Sequence, residues 1–447
     1  MYTCGPTVYS YDHIGHGRKY TYDDVLRRLL TYNGNKVTHV QNITDVGHLI
    51  SDADEGEDKM EKGAAIMKKT VWEVADFYTK AHWASMDKLN ILRPDISCRA
   101  TEHVSEQIDL IRRLVERGFA YDTPEAVYFE VKKFPRYGGI FGQNLDEKLV
   151  GVREDVITGK HKRNSADFAM WIKTVGDKVN HVMRWESPWG MGFPGWHIEC
   201  SAMSMKYLGD SFDIHTGGLD AMLIHHPNEI AQSEAATGKP MAKYWVHYGF
   251  LTVDGVKMSK SLNNFYRVED VEEKGFNPMA LRYLYLTSHY RSPHNFTWSS
   301  IAGAQTAYDK LKEFVKGVRS QELGASRKEL SREKLKKIDG FREKFLESVN
   351  NDMNFAMGLA VVWEMVKSNI PDMDKLELLL DWDSILGLDL ANVQTIGEIP
   401  EIIKQLITIR ENLRREGKFV EADELRMEIE QKGYQIKDTA NGTVISH

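Results

Sequence analysis

Four residues in this sequence are suited to handling phosphate. His13 and His16 flank Gly15, and Lys257 and Lys260 lie far downstream in Lys257-Met258-Ser259-Lys260-Ser261. The first pair falls in a stretch, Met1 to Lys19, that reads as a strand over Met1–Tyr9, a turn, and a helix opening near Asp12. A helix N-terminus offers free N–H groups and the positive end of its dipole, so it favours anions. Histidines three apart share one face there and can donate to the same phosphate. Gly15 leaves room for a flat ring or a ligand backbone. Gly255 before the lysines, with Ser259 and Ser261 among them, fits a loop that closes on its ligand.

A second group could hold a metal: Cys4, Cys200, His225 and Glu229. Two thiolates and an imidazole suit zinc better than magnesium or calcium. His225 and Glu229 are one helical turn apart and can face one centre. Spacing alone does not select this set, because Cys4 is remote from Cys200 and both His215 and His226 qualify equally. A lone cysteine is usually a small buried hydrophobe, and the third, Cys98, reads as structural.

The elements that must position these residues follow from periodicity. Val25, Leu26, Leu29 and Leu30 have helical spacing over Asp24–Tyr32, and Asn33-Gly34 stops the helix. Val37–Ile43 reads as a second strand, so strand, helix and strand form a right-handed crossover in a parallel sheet. Thr44-Asp45 ends that strand, where such sheets place ligands. Asp52–Gly63 is acidic and reads as a loop. Thr70–Asn90 and Thr101–Arg117 read as amphipathic helices, Ala126–Val131 as a strand, and Gly138–Arg163 as turn-rich. This block is expected to interrupt the sheet as an insertion, and the second half resumes near Trp185. Phe212–His215 and Trp245–Thr252 are strand candidates, and Asn228–Thr237 is a helix with Pro227 in its first turn. Beyond Asn295 the chain turns helical. Between Tyr308 and Leu346 it carries 12 Lys+Arg against 7 Asp+Glu, a basic face of the kind phosphate backbones attract. Ile402–Glu416 and Lys418–Lys432 read as helices, each followed by glycine, and Asn441-Gly442 as a hairpin turn.

The bulk numbers set outer limits. A length of 447 residues implies about three domains. Hydrophobic content of 42% with 28% charge is that of an ordinary soluble globular protein. No apolar run approaches the roughly 20 residues that cross a bilayer, and no signal peptide is visible, so a cytoplasmic protein is expected. Three cysteines argue against a disulfide scaffold. The net charge of −7 leaves nucleic-acid binding to a local basic face.

The two phosphate-handling motifs, in this order, resemble the signatures of class I aminoacyl-tRNA synthetases. Over the whole chain the sequence is similar to the cysteinyl-tRNA synthetase family, carried by Tyr2–Tyr9, His13–His16, Asn42–Asp45, Arg99–His103, Ala166–Ala169, Pro194–Met203, Gly217–Asp220, His225–Glu229 and Lys257–Ser261. The resemblance implies an α/β, Rossmann-like parallel-sheet catalytic domain with an insertion, followed by an all-α C-terminal region. Its expected parts are catalytic halves at 1–65 and 185–250, an inserted connective domain at 66–184, a lysine-loop linking domain at 251–300, a tRNA-contacting helical bundle at 301–399, and an anticodon-binding unit at 400–447. It implies Zn2+ on Cys4, Cys200, His225 and Glu229, and Mg2+ with ATP. It implies catalysis by His13, His16, Lys257 and Lys260. Gly5, Thr44, Trp196 and His215 would line a cysteine pocket, and Gly15, Gly217, Asp220, Met258 and Lys260 would surround ATP.

The expected activity is a cysteine–tRNA ligase, taking L-cysteine, ATP and tRNA-Cys as a monomer, with the thiol selected by zinc and no separate editing domain. Two alternatives are a cysteine ligase acting on an amino-sugar acceptor and a non-catalytic tRNA-binding protein. The Ile402–His447 segment weighs against the first, and the intact histidines and lysines against the second. The sequence departs from the family pattern at Phe193, Asn263 and Val46-Gly47-His48. It also starts almost on Cys4 where a further segment is usual, which predicts a weakly supported sheet edge there.

Overall fold

The computed structural model describes residues 1–46, 59–142, 161–258, 262, 264–321, 330–393, 400–439 and 442–446. The chain opens with β1 (Tyr2–Thr3), α1 (Ile14–Tyr32) and β2 (Val40–Ile43). Two helices follow, α2 (Lys59–Met67) and α3 (Val71–Lys88), then β3 (Ile96–Arg99) and α4 (Val104–Glu116). A meander of β4 (Ala120–Asp122), β5 (Ala126–Phe129), β6 (Phe168–Lys173) and β7 (Gly192–Pro194) leads into α5 (Trp196–Leu208). Next come β8 (Phe212–Gly218), α6 (His225–Thr237) and β9 (Ala242–Tyr248).

Five of these strands form one all-parallel sheet in the order β3-β2-β1-β8-β9. The order reverses direction at β1 and β8, so a crevice opens at their carboxyl ends, where doubly wound sheets bind ligands. The meander forms a separate four-stranded antiparallel sheet. The functional region therefore sits on a Rossmann-like sheet interrupted by an antiparallel insert.

Several expectations shift in detail. The first strand is only two residues long rather than running to Tyr9. Pro6 has no N–H to give a ladder, and Gly5 passes so close to β2 that a Cβ there would lie 1.6 Å from Asn42 O. The backbone then leaves the sheet, touching it again only at a bridge between Thr7 and Thr44. Far from being a weak edge, β1 is central: Tyr2 pairs with Val40 on one side and His215 on the other. β3 extends this sheet although it falls inside the 66–184 segment read as an insert. β7, beyond that segment, belongs to the antiparallel sheet. Residues 59–63, read as loop, are the start of α2, which buries Met60 and Ala64 against α3.

Downstream, short strands at Leu251–Val253, Val256–Lys257 and His294–Phe296 form a three-stranded sheet. They flank helices Val268–Glu273 and Pro278–Leu286. Four longer helices follow, at Trp298–Gln321, Arg332–Asn350, Phe355–Lys367 and Asp372–Leu386. One hydrophobic core runs continuously from Leu26 and Leu29 of α1 through Tyr285 to Trp382. Helices Glu401–Arg415 and Phe419–Gln431, with the antiparallel pair Gln435–Thr439 and Gly442–Ser446, close the chain around their own small core of Ile403, Leu406, Ile407, Ile429 and Ile436. Among the described residues, no helix is long and apolar enough to cross a membrane.

Candidate functional site

A cavity of about 700 Å³ lies at the carboxyl ends of β1 and β8, large enough for a nucleotide-sized ligand. It brings together residues from six parts of the chain: Cys4 and Gly5, His13 with Gly15 and His16, Thr44, Trp196 with Cys200, Asp220 with His225, and Lys257 with Met258. Lys260, with Ser259, Ser261 and Asn263, lies outside the described residues, as do Gly47 and His48.

At one end of the cavity the signature helix opens. His13 is the N-cap of α1, and its Nδ1 accepts from the amides of Gly15 (3.0 Å) and His16 (3.2 Å). Burial, then the neighbouring His16, pushes the His13 imidazole down to about 3. It is therefore neutral, and with Nδ1 occupied as an acceptor its proton sits on Nε2. The Ile14 amide donates to Tyr266 O at 2.8 Å, and the Gly17 amide to His13 O. The first amides of the helix are thus already used. This corrects the expectation of free N–H groups for phosphate: what remains for an anion is the imidazole edges and the helix dipole. The two rings stack at 3.7 Å. A Cβ on Gly15 would stand 2.8 Å from both the His13 ring and Met258 Cε, so the glycine is the contact surface between helix and lysine segment.

At the other end, two overlapping tetrads bring potential ligand atoms within 4.8 Å of one another: Cys4, Cys200, His225 and Glu229, and Cys4, His215, His226 and Glu229. α6 supplies His225 and Glu229 one turn apart, with Nε2 2.8 Å from Oε1. Beneath them His215 Nε2 meets Glu229 Oε2 at 2.8 Å. Cys4 Sγ lies 3.4 Å from His226 Nε2 and 4.0 Å from Glu229 Oε1. A hydrogen bond from Cys200 holds the Cys4 thiol well below its usual range, and it outweighs the opposing effect of burial. Burial raises Cys200 well above its range. Burial opposes charge on His225, but Glu229 and the Cys4 thiolate outweigh it and raise the imidazole well above its range. Sulfur, imidazole and carboxylate donors converge here in a buried pocket, a set that fits a thiophilic divalent cation. Cys4, Cys200 and His225 line the cavity, whereas Glu229, His215 and His226 are not on its wall.

The remaining expected residues divide. Trp196 opens α5 and its ring lies 4.7 Å from that of His225. Thr44 Oγ1 accepts from Asn42 Nδ2 and donates to Glu199 Oε2 at 2.9 Å. The Gly5 amide is taken by Asn42 Oδ1 at 2.7 Å, leaving its carbonyl side. His215 is fully buried behind Glu229 and stacks on Trp245, so it supports the cluster rather than lining the cavity. Gly217 is buried too, with a Cβ position 2.7 Å from the His226 ring, and Gly218 takes its place on the wall. Asp220 is exposed at the mouth. Sequence reasoning missed His197, whose Nδ1 contacts His225 Nδ1 at 2.9 Å, and His247, 2.7 Å from His226 Nδ1. Only their histidine type, beside candidate ligands, hinted at such bracing.

A switch-point cavity on a parallel sheet, with a histidine-bearing helix start at one end and a thiol cluster at the other, defines a nucleotide-dependent enzyme of the class I synthetase type. The family model for the tRNA synthetases class I (C) catalytic domain matches residues 1–306. A cysteine–tRNA ligase 1 of Burkholderia lata is 44% identical over 445 residues, covering 99% of this chain and 91% of the relative. The cysteine–tRNA ligase of Chlorobaculum tepidum is 40% identical, covering 100% and 94%. A Mycobacterium tuberculosis methionyl-tRNA synthetase in complex with methionyl-adenylate shares the fold at 14% identity and a TM-score of 0.61, over 88% of this chain and 92% of that one. The chain belongs to the cysteine–tRNA ligase family of class I aminoacyl-tRNA synthetases.

Proposed function

We propose that this chain activates L-cysteine with ATP and transfers it to the 3′ end of tRNA-Cys. The observation that carries the reading is that one cavity joins a phosphate-facing helix start to a thiol-rich cluster. The amino acid would lie toward Cys4, Thr44 and Trp196, and the nucleotide toward Gly15, Asp220 and Met258. His13 donates from Nε2, and His16 with Lys257 and Lys260 offsets negative charge as pyrophosphate leaves. Holding carboxylate and α-phosphorus together and stabilising the developing charge are the two contributions the protein makes. Mg2+ would accompany ATP.

Cys4, Cys200, His225 and Glu229 would hold Zn2+. Their mixed sulfur, nitrogen and oxygen donors fit it, and three of the four, Cys4, Cys200 and His225, border the cavity. When bound, the ion supplies a thiolate-selective contact that an alcohol satisfies far less well. His197 and His215 brace its ligands. The basic helices over 308–346 would meet the tRNA backbone, and residues 400–447 would read the anticodon. The protein would act as a cytoplasmic monomer.

The test is charging of unfractionated tRNA with labelled cysteine and ATP, with serine as competitor, in wild type and Cys200→Ser. Cysteine-only charging by wild type, with metal and selectivity both lost in the variant, is the expected result. A variant that keeps metal and selectivity overturns the ligand assignment. Cysteine activation without any tRNA charging overturns the acceptor.

A further inference from the structure

Lys19 and Asp23 lie one turn apart on α1, beyond the signature histidines, and neither is among the expected site residues. Lys19 is on the cavity wall, with His16 before it and Cys4 beside it. Its side chain is only 13% exposed, and that of Asp23 3%. The Lys19 ammonium meets three partners. It donates to Cys4 O, it lies 3.0 Å from Asp23 Oδ2, and its nitrogen stands 4.2 Å above the Tyr20 ring. An ammonium has three N–H groups, so two acceptors and one aromatic face occupy it fully. A lysine engaged in this way holds its neighbours in place rather than reaching for a ligand.

The carbonyl it grips belongs to a residue in need of an anchor. β1 ends at Thr3 and Pro6 cannot extend the ladder, so Cys4 sits where the backbone leaves the sheet. The Cys4 amide still donates to Thr216 O of β8 at 3.1 Å. Its carbonyl turns instead to the helix. Thr216 in turn donates through Oγ1 to Asp23 Oδ1 at 2.6 Å, and Tyr248 OH, at the end of β9, donates to the same oxygen at 2.7 Å. Both backbone groups of Cys4 are thus tied back to Asp23, one through Thr216 and the other through Lys19. Cys4 is also common to both sets of potential metal ligands, so the placing of its thiol bears on either one.

We propose that Lys19, held by Asp23, is a positioning residue for the metal centre: by gripping Cys4 O it fixes the Cys4 thiol relative to the signature helix, so that the thiol end and the phosphate end of the cavity keep one spacing. The proposal rests on the reading of Cys4 as a zinc ligand. Groups that orient a ligand from outside the coordination sphere tune how tightly the ion is held. Here the helix that carries the phosphate-facing histidines also sets the loop that carries the thiol.

The test separates this tether from an ordinary buried ion pair. Burial pushes the Asp23 carboxyl up, and Lys19 leads the groups that oppose it. Lys19→Met alone therefore strands a buried acid and should lower the urea midpoint. The double variant Lys19→Met, Asp23→Asn strands none and should recover the midpoint. The zinc-loaded full chain is assayed for zinc transfer to a chromogenic chelator, and for KM of cysteine and of ATP in pyrophosphate exchange. In the double variant zinc should leave at least about tenfold faster and KM for cysteine should rise about tenfold, with KM for ATP within about twofold. Lys19→Arg keeps the charge and the donors and should retain zinc as wild type does. A double variant that regains its midpoint and also holds zinc like wild type overturns the proposal, because the pair then serves the fold alone. An equal rise in both KM values overturns it too. A wild-type chain that takes up no zinc overturns the metal reading, and the tether with it.

Discussion

At the residue scale the site depends on close approaches that leave no spare volume. Gly15 stands between the His13 ring and Met258, 2.8 Å from each at its Cβ position. Gly15→Ala improves intrinsic helix propensity by up to about 1 kcal/mol, but disturbing the His13 cap costs about as much, so the unfolding midpoint should move little. The methyl must displace the capping imidazole, however, or the methionine beside Lys257. Pyrophosphate exchange should fall by about 30-fold or more, roughly 2 kcal/mol of transition-state stabilisation. A variant both stable and fully active would show that this contact does not shape the site. The residue types were legible in the sequence: histidine, lysine and thiol chemistry is written in composition and short spacing. The partners were not. Nothing near Ile14 announces that its amide is taken by Tyr266 O. Nothing near Asp12 announces His82 of α3, whose Nδ1 lies 2.5 Å from its carboxylate, because both partners are placed by folding rather than by local pattern.

At the element scale, α1 links the cavity to the helical half of the molecule. Asp24 on α1 is fully buried, 2.5 Å from Arg282 Nη2 and 2.7 Å from Arg28 Nε. Arg282, on helix Pro278–Leu286, also donates to Leu386 O at the end of helix Asp372–Leu386 and to Leu89 O just past α3. One guanidinium thus ties four helices. Burial opposes the Asp24 charge, but Arg282 and then Arg28 outweigh it and lower its carboxyl. A depressed folded-state value contributes stability above the ordinary carboxylate range, and that stability is lost as pH falls through the folded value. Arg282→Met leaves a buried anion with Arg28 as its one charged partner beside the Leu92 amide, and a loss of about 3–5 kcal/mol in urea unfolding is expected. The loss should shrink in the Asp24→Asn, Arg282→Met double variant, where no charge is stranded. Equal losses in the single and double variants would mean that packing, not charge, sets the cost. Helical spacing revealed α1 itself and its stop at Asn33-Gly34. The four-helix tie was invisible, because an arginine in a helical pattern reads as surface until its neighbours are known.

At the scale of the whole molecule, legibility followed how local each boundary was. The two terminal helices were read to within a residue or two, because Gly417 and Gly433 end them with positive φ. The edge strand β3 was missed: four residues, with only Cys98 well buried, carry little periodic signal. The same view makes residues 400–447 a separable unit, since their core of Ile403, Leu406, Ile407, Ile429 and Ile436 is distinct from the core that runs from α1 to Trp382. Every described cavity residue precedes this unit, and so does the four-helix tie. If the unit serves tRNA alone, a chain ending at Val393 should keep cysteine-dependent pyrophosphate exchange within about twofold. It should also keep its metal content. Its kcat/KM for tRNA charging should fall at least about 100-fold, near 3 kcal/mol of lost recognition. Charging should persist at high enzyme concentration, because the 3′ end still reaches the cavity. A truncated chain that charges tRNA as well as the full chain would move the recognition surface to the basic helices between Tyr308 and Leu346. One that loses exchange as well would mean that the terminal unit holds the catalytic half in shape.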